Sequence, residues 1–181
     1  MRWIAMTAMA AVFSAILGAA AEAADIEADV LQHHAFRDRY IDTVNVHVWE
    51  KASQKGIWEV DRGLTVTRAT GYVNFQGGRH MDSNAVGIGP AIRLKGEKRF
   101  APKWSAAMEG SGAFLMYNRA FPAGGRAYNF MWRIGPSLAY HPNKDTAVSA
   151  GWTFMHVSNG LKTRNPGYNG AGLTAGITFS F

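Results

Sequence analysis

The chain has 181 residues, a formal net charge of +6, 48% hydrophobic residues and no cysteine. The length fits one domain, and the hydrophobic content excludes disorder as the general state. The missing cysteine excludes a disulfide framework, a thiol nucleophile and a thiolate metal site. Residues 1–23 read as a cleaved secretory signal peptide, leaving 24–181 as a single domain. Arg2 supplies the positive end, residues 3–17 the apolar run, and Ala21-Glu22-Ala23 the small-x-small cleavage site. No later stretch holds 18 consecutive apolar residues, so no transmembrane helix is expected.

Residues 25–42 are polar and read as an irregular lead-in or a first short strand. His33 and His34 lie there without acidic or cysteine partners at ligand spacing, so they read as a solvated pair and not a metal site. From Thr43 onward alternation takes over. Val44, Val46 and Val48 alternate with Asn45, His47 and Trp49. Residues 51–56 read as a turn, 57–66 and 70–75 as strand, and 76–83 as a loop. Residues 84–94 form a glycine-rich strand with Val86, Ile88, Ile92 and Leu94 on one side. Residues 95–102 read as a charged turn, 103–117 as a strand, 118–125 as a loop and 128–140 as a strongly alternating strand. A tight turn at 141–145 precedes strands at 146–158 and 168–181. That makes about eight strands, and no helical period persists after the signal peptide.

Two all-β architectures compete, a soluble barrel and an outer-membrane barrel, and they differ in which face is apolar. The last strand separates them. Leu173, Ala175, Ile177, Phe179 and Phe181 share one face; Thr174, Gly176, Thr178 and Ser180 share the other. A solvated outer face would carry Lys or Glu. Small uncharged groups suit the packed lumen of a narrow barrel. Trp132, Tyr140, Trp152 and Tyr168 suit aromatic girdles, and the closing phenylalanine resembles the assembly signal of bacterial outer-membrane barrels. The expected fold is therefore all-β, an eight-stranded antiparallel transmembrane β-barrel of the Gram-negative outer membrane. Even strand number puts both ends in the periplasm and loops 77–83, 118–125 and 159–167 outside.

His156 and Ser158 are two apart on a strand and share a face with Trp152 and Phe154, the lipid-facing one. Asn169 has the outward parity of Leu173 and lies across the hairpin. A serine hydroxyl needs a base to become a nucleophile, histidine is such a base, and a third polar group fixes its ring. An H-x-S pair alone is more often a hydrogen-bonded surface pair. Its position at the outer leaflet, where an amphiphilic ester would lie, points to hydrolysis.

The stretch F-M-H-V-S-N-G-L-K-T-R-N-P-G-Y-N, residues 154–169, resembles the signature of the lipid A 3-O-deacylases of the PagL type, also called an acyloxyacyl hydrolase-like family. The likeness extends more loosely to M-W-R-I-G-P-S-L-A-Y before the turn. It implies an eight-stranded barrel that removes the acyl chain ester-linked at position 3 of lipid A, with lipopolysaccharide as substrate, no cofactor and no metal. It implies His156 as base, Ser158 as nucleophile, and Asn159 with Gly160 at the oxyanion. Where well-described members carry a glutamate that orients the histidine, the matching position here is Asn169. Glu109 shares parity with Ser105 and Ser111 and is expected to face inward; Asp82, in an outer loop, stays open as an alternative acid. Lys162 and Arg164, with Arg79, Arg119 and Arg126, are candidates for lipid A phosphates. A nucleic-acid partner is not expected, and a homodimer stays open. The alternative functions are a non-catalytic barrel of the same family, structural or adhesive, and a soluble periplasmic binding barrel.

Overall fold

The computed structural model describes residues 23–34, 38–75, 78–161 and 163–180. Residues 1–22 of the expected signal peptide, Lys162 and Phe181 lie outside them. Nine strands occur among these residues: β1 (Ala23–His34), β2 (Arg39–Lys55), β3 (Trp58–Phe75), β4 (Arg79–Asp82), β5 (Ala85–Ala101), β6 (Trp104–Phe121), β7 (Arg126–Tyr140), β8 (Thr146–Ser158) and β9 (Tyr168–Ser180). Every pairing is antiparallel. Eight strands close a ring in the order β1, β9, β8, β7, β6, β5, β3, β2, with β2 returning to β1; β4 lies on β3 alone. The ring is closed by β1, which pairs Ala23 with Ser180 on one side and Ala24 with Glu50 on the other. Both termini of the described chain therefore lie at one end of the barrel. The longer connections lie at the other, the loop end.

Several expected turns are strand. The 25–42 lead-in is mostly β1, a 12-residue strand, because Asp25, Glu27 and Asp29 alternate with Ile26, Ala28 and Val30. Polarity hid a barrel strand whose inward face is charged. The charged stretch 95–102 is also strand as far as Ala101. Lys95 and Glu97 point inward, where Lys95 Nζ meets Glu59 at 2.9 Å and Glu97 at 3.5 Å. Residues 51–55 continue β2, residues 57–66 and 70–75 belong to one strand, and loop 76–83 contains β4.

The barrel is inside-out. Leu173, Ile92 and Val30 are 71%, 66% and 61% exposed, while Asp29, Asp61 and Arg93 are 1%, 2% and 4% exposed. Closure pairs the strands' backbone groups with protein, the condition for crossing hydrocarbon. Trp132, Tyr140 and Trp152 face outward as expected. Trp152 opposes Leu173 in mid-strand, away from either rim. Tyr168 does not belong to a girdle: it is 1% exposed and points into the lumen, within hydrogen-bond reach of Thr43 Oγ1 at 3.2 Å.

The lumen is not small and uncharged throughout. It has layers. Toward the loop end it is an apolar plug that includes Leu31, Ile41, Val73, Leu115, Phe121, Met155 and Val157. Below lies an ionic cluster. Arg93 holds Asp25 and Asp61, each at 2.7 Å, and Arg133 holds Asp29 at 2.8 Å together with Glu27. Trp49 Nε1 donates to Glu27 at 2.9 Å, Thr174 Oγ1 donates to it at 2.8 Å, and Asn45 Nδ2 donates to Asp29 at 2.6 Å. Glu109 faces inward as expected, 3.6 Å from Arg93. Eight strands leave an interior that side chains must fill, and buried charges persist only when paired.

Removing one member strands its partner. Glu27→Ala is expected to lower unfolding stability by about 3–5 kcal/mol, measured as the urea midpoint of the protein refolded in lipid vesicles. Glu50→Ala, which breaks the solvent-exposed pair with Arg62, is expected to leave the midpoint unmoved.

Candidate functional site

The β8–β9 hairpin is built on one alternation. Thr153, Met155, Val157 and Tyr168 are buried in the lumen, so Phe154, His156, Ser158 and Asn169 must face out. Met155 and Val157, both fully buried, lock the strand on its inner side. A register slip of one residue would turn the polar trio into the apolar plug, so the register is strongly specified.

His156 lies directly opposite Asn169, and His156 Nδ1 is 2.7 Å from Asn169 Oδ1. With Oδ1 as acceptor, Nδ1 carries the proton and Nε2 keeps its lone pair. Ser158 is two residues along the same face, roughly 7 Å away by Cα rise. The third residue of the expected set, Asn169, thus contacts the ring through its amide. As an amide it supplies no charge.

On the β7 side, Trp132 opposes His156 and Phe130 opposes Ser158. The Trp132 and His156 rings stand 5.7 Å apart at 40°. On the β1 side, His34 opposes Asn169, and its ring meets Phe154 edge-on at 6.2 Å. His34 therefore borders the site, which its polar surroundings in sequence did not reveal. Trp132 belongs to the site's wall as well as to the lipid-facing surface; its outward parity on β7 was the available signal.

The loop 159–167 is stiffened from within. Asn159 is 2% exposed. Its N–H donates to Asn165 Oδ1 at 2.9 Å, its Nδ2 donates to Arg164 O at 2.6 Å, and its Oδ1 accepts from the Leu161 N–H at 3.1 Å. Gly160 has φ 72°, a left-handed conformation that glycine adopts without strain. Gly167 packs against His156 and Ser158. A Cβ there would sit 3.0 Å from Val157 O, 3.3 Å from Ser158 Cβ and 3.6 Å from His156 Cε1. Arg39 ties the loop to β2 from across the mouth, its Nε donating to Pro166 O at 2.8 Å.

The two alternative acids are not brought to the site. Asp82 opposes Tyr72 on β3 and pairs with Arg119 at 2.9 Å. Glu109 is in the lumen. Arg164 is exposed beside the loop, and Lys162 lies outside the described residues. Glu27, Asp29 and His47 bring one potential ligand atom each to within 4.8 Å of one another. Arg133 contacts both of those carboxylates, so the positive charge a cation would supply there is already present.

Beyond Trp132 the outer wall is hollow. Gly110 and Gly112 of β6 face outward between Met108 and Phe114, and two adjoining depressions of about 450 and 490 Å³ open there. Ile92, Gly112 and Trp132 line both. A Cβ at Gly110 or Gly112 would meet nothing nearer than 3.7 Å. Strand packing does not require glycine at either position; their missing side chains make the depression.

Residues 42–178 match the family described as lipid A 3-O-deacylase (PagL). A search of curated proteins finds no match. Among solved structures, the outer membrane enzyme PagL superposes with a TM-score of 0.54 at 16% identity, over 87% of this chain and 99% of that one. Neisserial surface protein A superposes with a TM-score of 0.53 at 8% identity, over 88% of this chain and 96% of that one. These likenesses establish the outer-membrane barrel fold. The family match covers the greater part of the chain, including β8 and the Ser–His hairpin. The chain belongs to the lipid A 3-O-deacylase (PagL) family, and with it to the integral outer-membrane lipid A deacylases of Gram-negative bacteria.

Proposed function

We propose that the protein hydrolyses the ester at position 3 of lipid A, with Ser158 as nucleophile and His156 as base, on the outer wall facing the outer leaflet. The observation that carries this reading is the 2.7 Å contact between His156 Nδ1 and Asn169 Oδ1 beside an outward Ser158. It leaves Nε2 as the nitrogen that takes the serine proton. Ser158 Oγ attacks the ester carbonyl, and its proton passes to His156 Nε2. The tetrahedral intermediate collapses, the C–O bond to the sugar breaks, and His156 returns the proton to the leaving oxygen. Water, deprotonated by the same nitrogen, then releases the acyl chain from Ser158.

Asn159 and Gly160 are the proposed oxyanion donors. For Asn159 to take part through its side chain, Nδ2 exchanges Arg164 O for the developing oxyanion. Arg164, Lys162 and the arginines at the loop ends of β4, β6 and β7, Arg79, Arg119 and Arg126, are the proposed phosphate contacts. The acyl chain is proposed to lie in the hollow over Gly110 and Gly112, which begins one strand from the reactive pair and is walled by Trp132 and Ile92. A second reading, a family barrel with a structural role, draws on the amide at position 169.

The two readings separate by mass spectrometry of lipid A from cells expressing the protein. Loss of one 3-hydroxyacyl chain with the wild type, and not with Ser158→Ala, is expected. Identical lipid A in both sinks the hydrolytic reading. Asn169→Glu, which adds a charge to stabilise the imidazolium, is expected to raise kcat by about tenfold. Asn169→Ala, which frees the ring to rotate, is expected to lower it by at least as much; both are read by steady-state kinetics on purified lipid A. Gly112→Phe fills the hollow without backbone conflict and is expected to raise KM for long-chain substrate by roughly tenfold, leaving a short-chain ester unaffected.

A further inference from the structure

Four rings form a line along the outer wall beside the site, and no part of the chemistry above uses them. His33 meets Tyr40 at 5.4 Å, Tyr40 stacks on Tyr72 at 5.1 Å and 25°, and Tyr72 meets His80 at 5.0 Å. The strands impose the line: Tyr40 and Tyr72 are a direct cross-strand pair. The two tyrosines are 39% and 37% exposed, so the ladder has an open side.

Its height and its route matter. The pairing row through His156 runs to Asn169 and His34. The β1–β2 pairing ends at Leu31 with Thr43, and beyond it His33, the residue before His34, sets its ring against Tyr40. From there the row passes to Tyr72 and Asp82. Tyr72 lies beyond the last β3–β5 pair, Ala69 with Ala85, on the part of β3 covered by the short β4. The ladder therefore starts beside the reactive hairpin and rises past the apolar band of Val44, Val46, Val86 and Ile88.

We propose that this ladder is a saccharide-binding platform for the sugar portion of the lipopolysaccharide whose ester the site cleaves. The proposal rests on the esterase reading and adds the part of the substrate that lies above the ester. Aromatic faces carry negative potential and pack against the C–H face of a pyranose, while their hydroxyl and imidazole groups hydrogen-bond its rim. Carboxylates flank the ladder as acceptors for sugar hydroxyls: Asp42, beside His33, and Asp82, both about half exposed. An interfacial anchoring belt spreads its aromatics around the barrel at both rims. These rings instead touch one another in one sector, on β1 to β4, at the loop end.

The test uses the full chain refolded in bilayer nanodiscs with Ser158→Ala, so that binding is read without turnover. The probe is the water-soluble oligosaccharide left when lipopolysaccharide is fully stripped of acyl chains, observed by saturation-transfer NMR. Binding is expected. It should weaken at least tenfold when Tyr40→Ala and Tyr72→Ala are combined, and persist in Tyr72→Trp, with unchanged circular dichroism in all three. Equal binding to the double alanine variant, or no binding to any form, overturns the proposal. With Ser158 restored, the double variant should raise KM for intact lipopolysaccharide about tenfold at constant kcat and leave a short p-nitrophenyl ester untouched. A parallel fall on both substrates also overturns it. Failure of the hydrolytic reading shows instead as unchanged lipid A with the wild type, whatever the oligosaccharide does.

Discussion

Hydrocarbon offers no hydrogen bonds, and this governs the protein more than any single contact. Every strand in the wall must have a partner on both sides, and β1 provides the last two when it pairs with β2 and β9. Closing a ring of eight makes the lumen too narrow for water to fill and too wide to leave empty, so side chains must meet there. The apolar side chains are needed outside. Below the apolar plug the inside is filled by charge, and charge in that setting must be paired. The Arg93 and Arg133 cluster follows from closure as directly as the greasy exterior does.

The same inversion explains where chemistry can sit. A soluble enzyme hides its reactive groups in a pocket. Here the interior beneath β8 is a plug of Met155, Val157 and Tyr168, and the groups proposed to react occupy the alternate positions on the outside. The wall replaces the pocket: Trp132 and Phe130 on one side, His34 on the other, and Gly167 packed close to both His156 and Ser158. An outward site also receives a substrate already concentrated and oriented by the membrane, part of the positioning that other enzymes must achieve by closure.

Period-two alternation made much of this legible. The parity of Leu173 and Phe179 against Thr174 and Thr178 separates membrane from solvent, and the same count points His156, Ser158 and Asn169 outward. Alternation failed where both readings of a residue are polar. Asp25, Glu27 and Asp29 look like a solvated lead-in, because a sequence does not show that Arg93 and Arg133 will arrive from distant strands to pair with them. Lys95 and Glu97 look like a turn for the same reason. Tyr168 has the inward parity, yet its hydroxyl suggests an interface; Thr43 supplies the partner that lets it stay buried. The borders of the site were illegible because they lie on β1, β2 and β7, and only register connects them.

Register also sets what ring closure completes. Ala23 pairs with Ser180 and His34 with Asn169, so the seam joins the two most distant parts of the described chain. The rest of the sheet lies between them in sequence. Asn169 sits on that seam, with His156 one strand away. The His156–Asn169 contact is local to the β8–β9 hairpin, but His34, which flanks Asn169 on its other side, arrives only with the seam. One wall of the proposed site is therefore completed by ring closure.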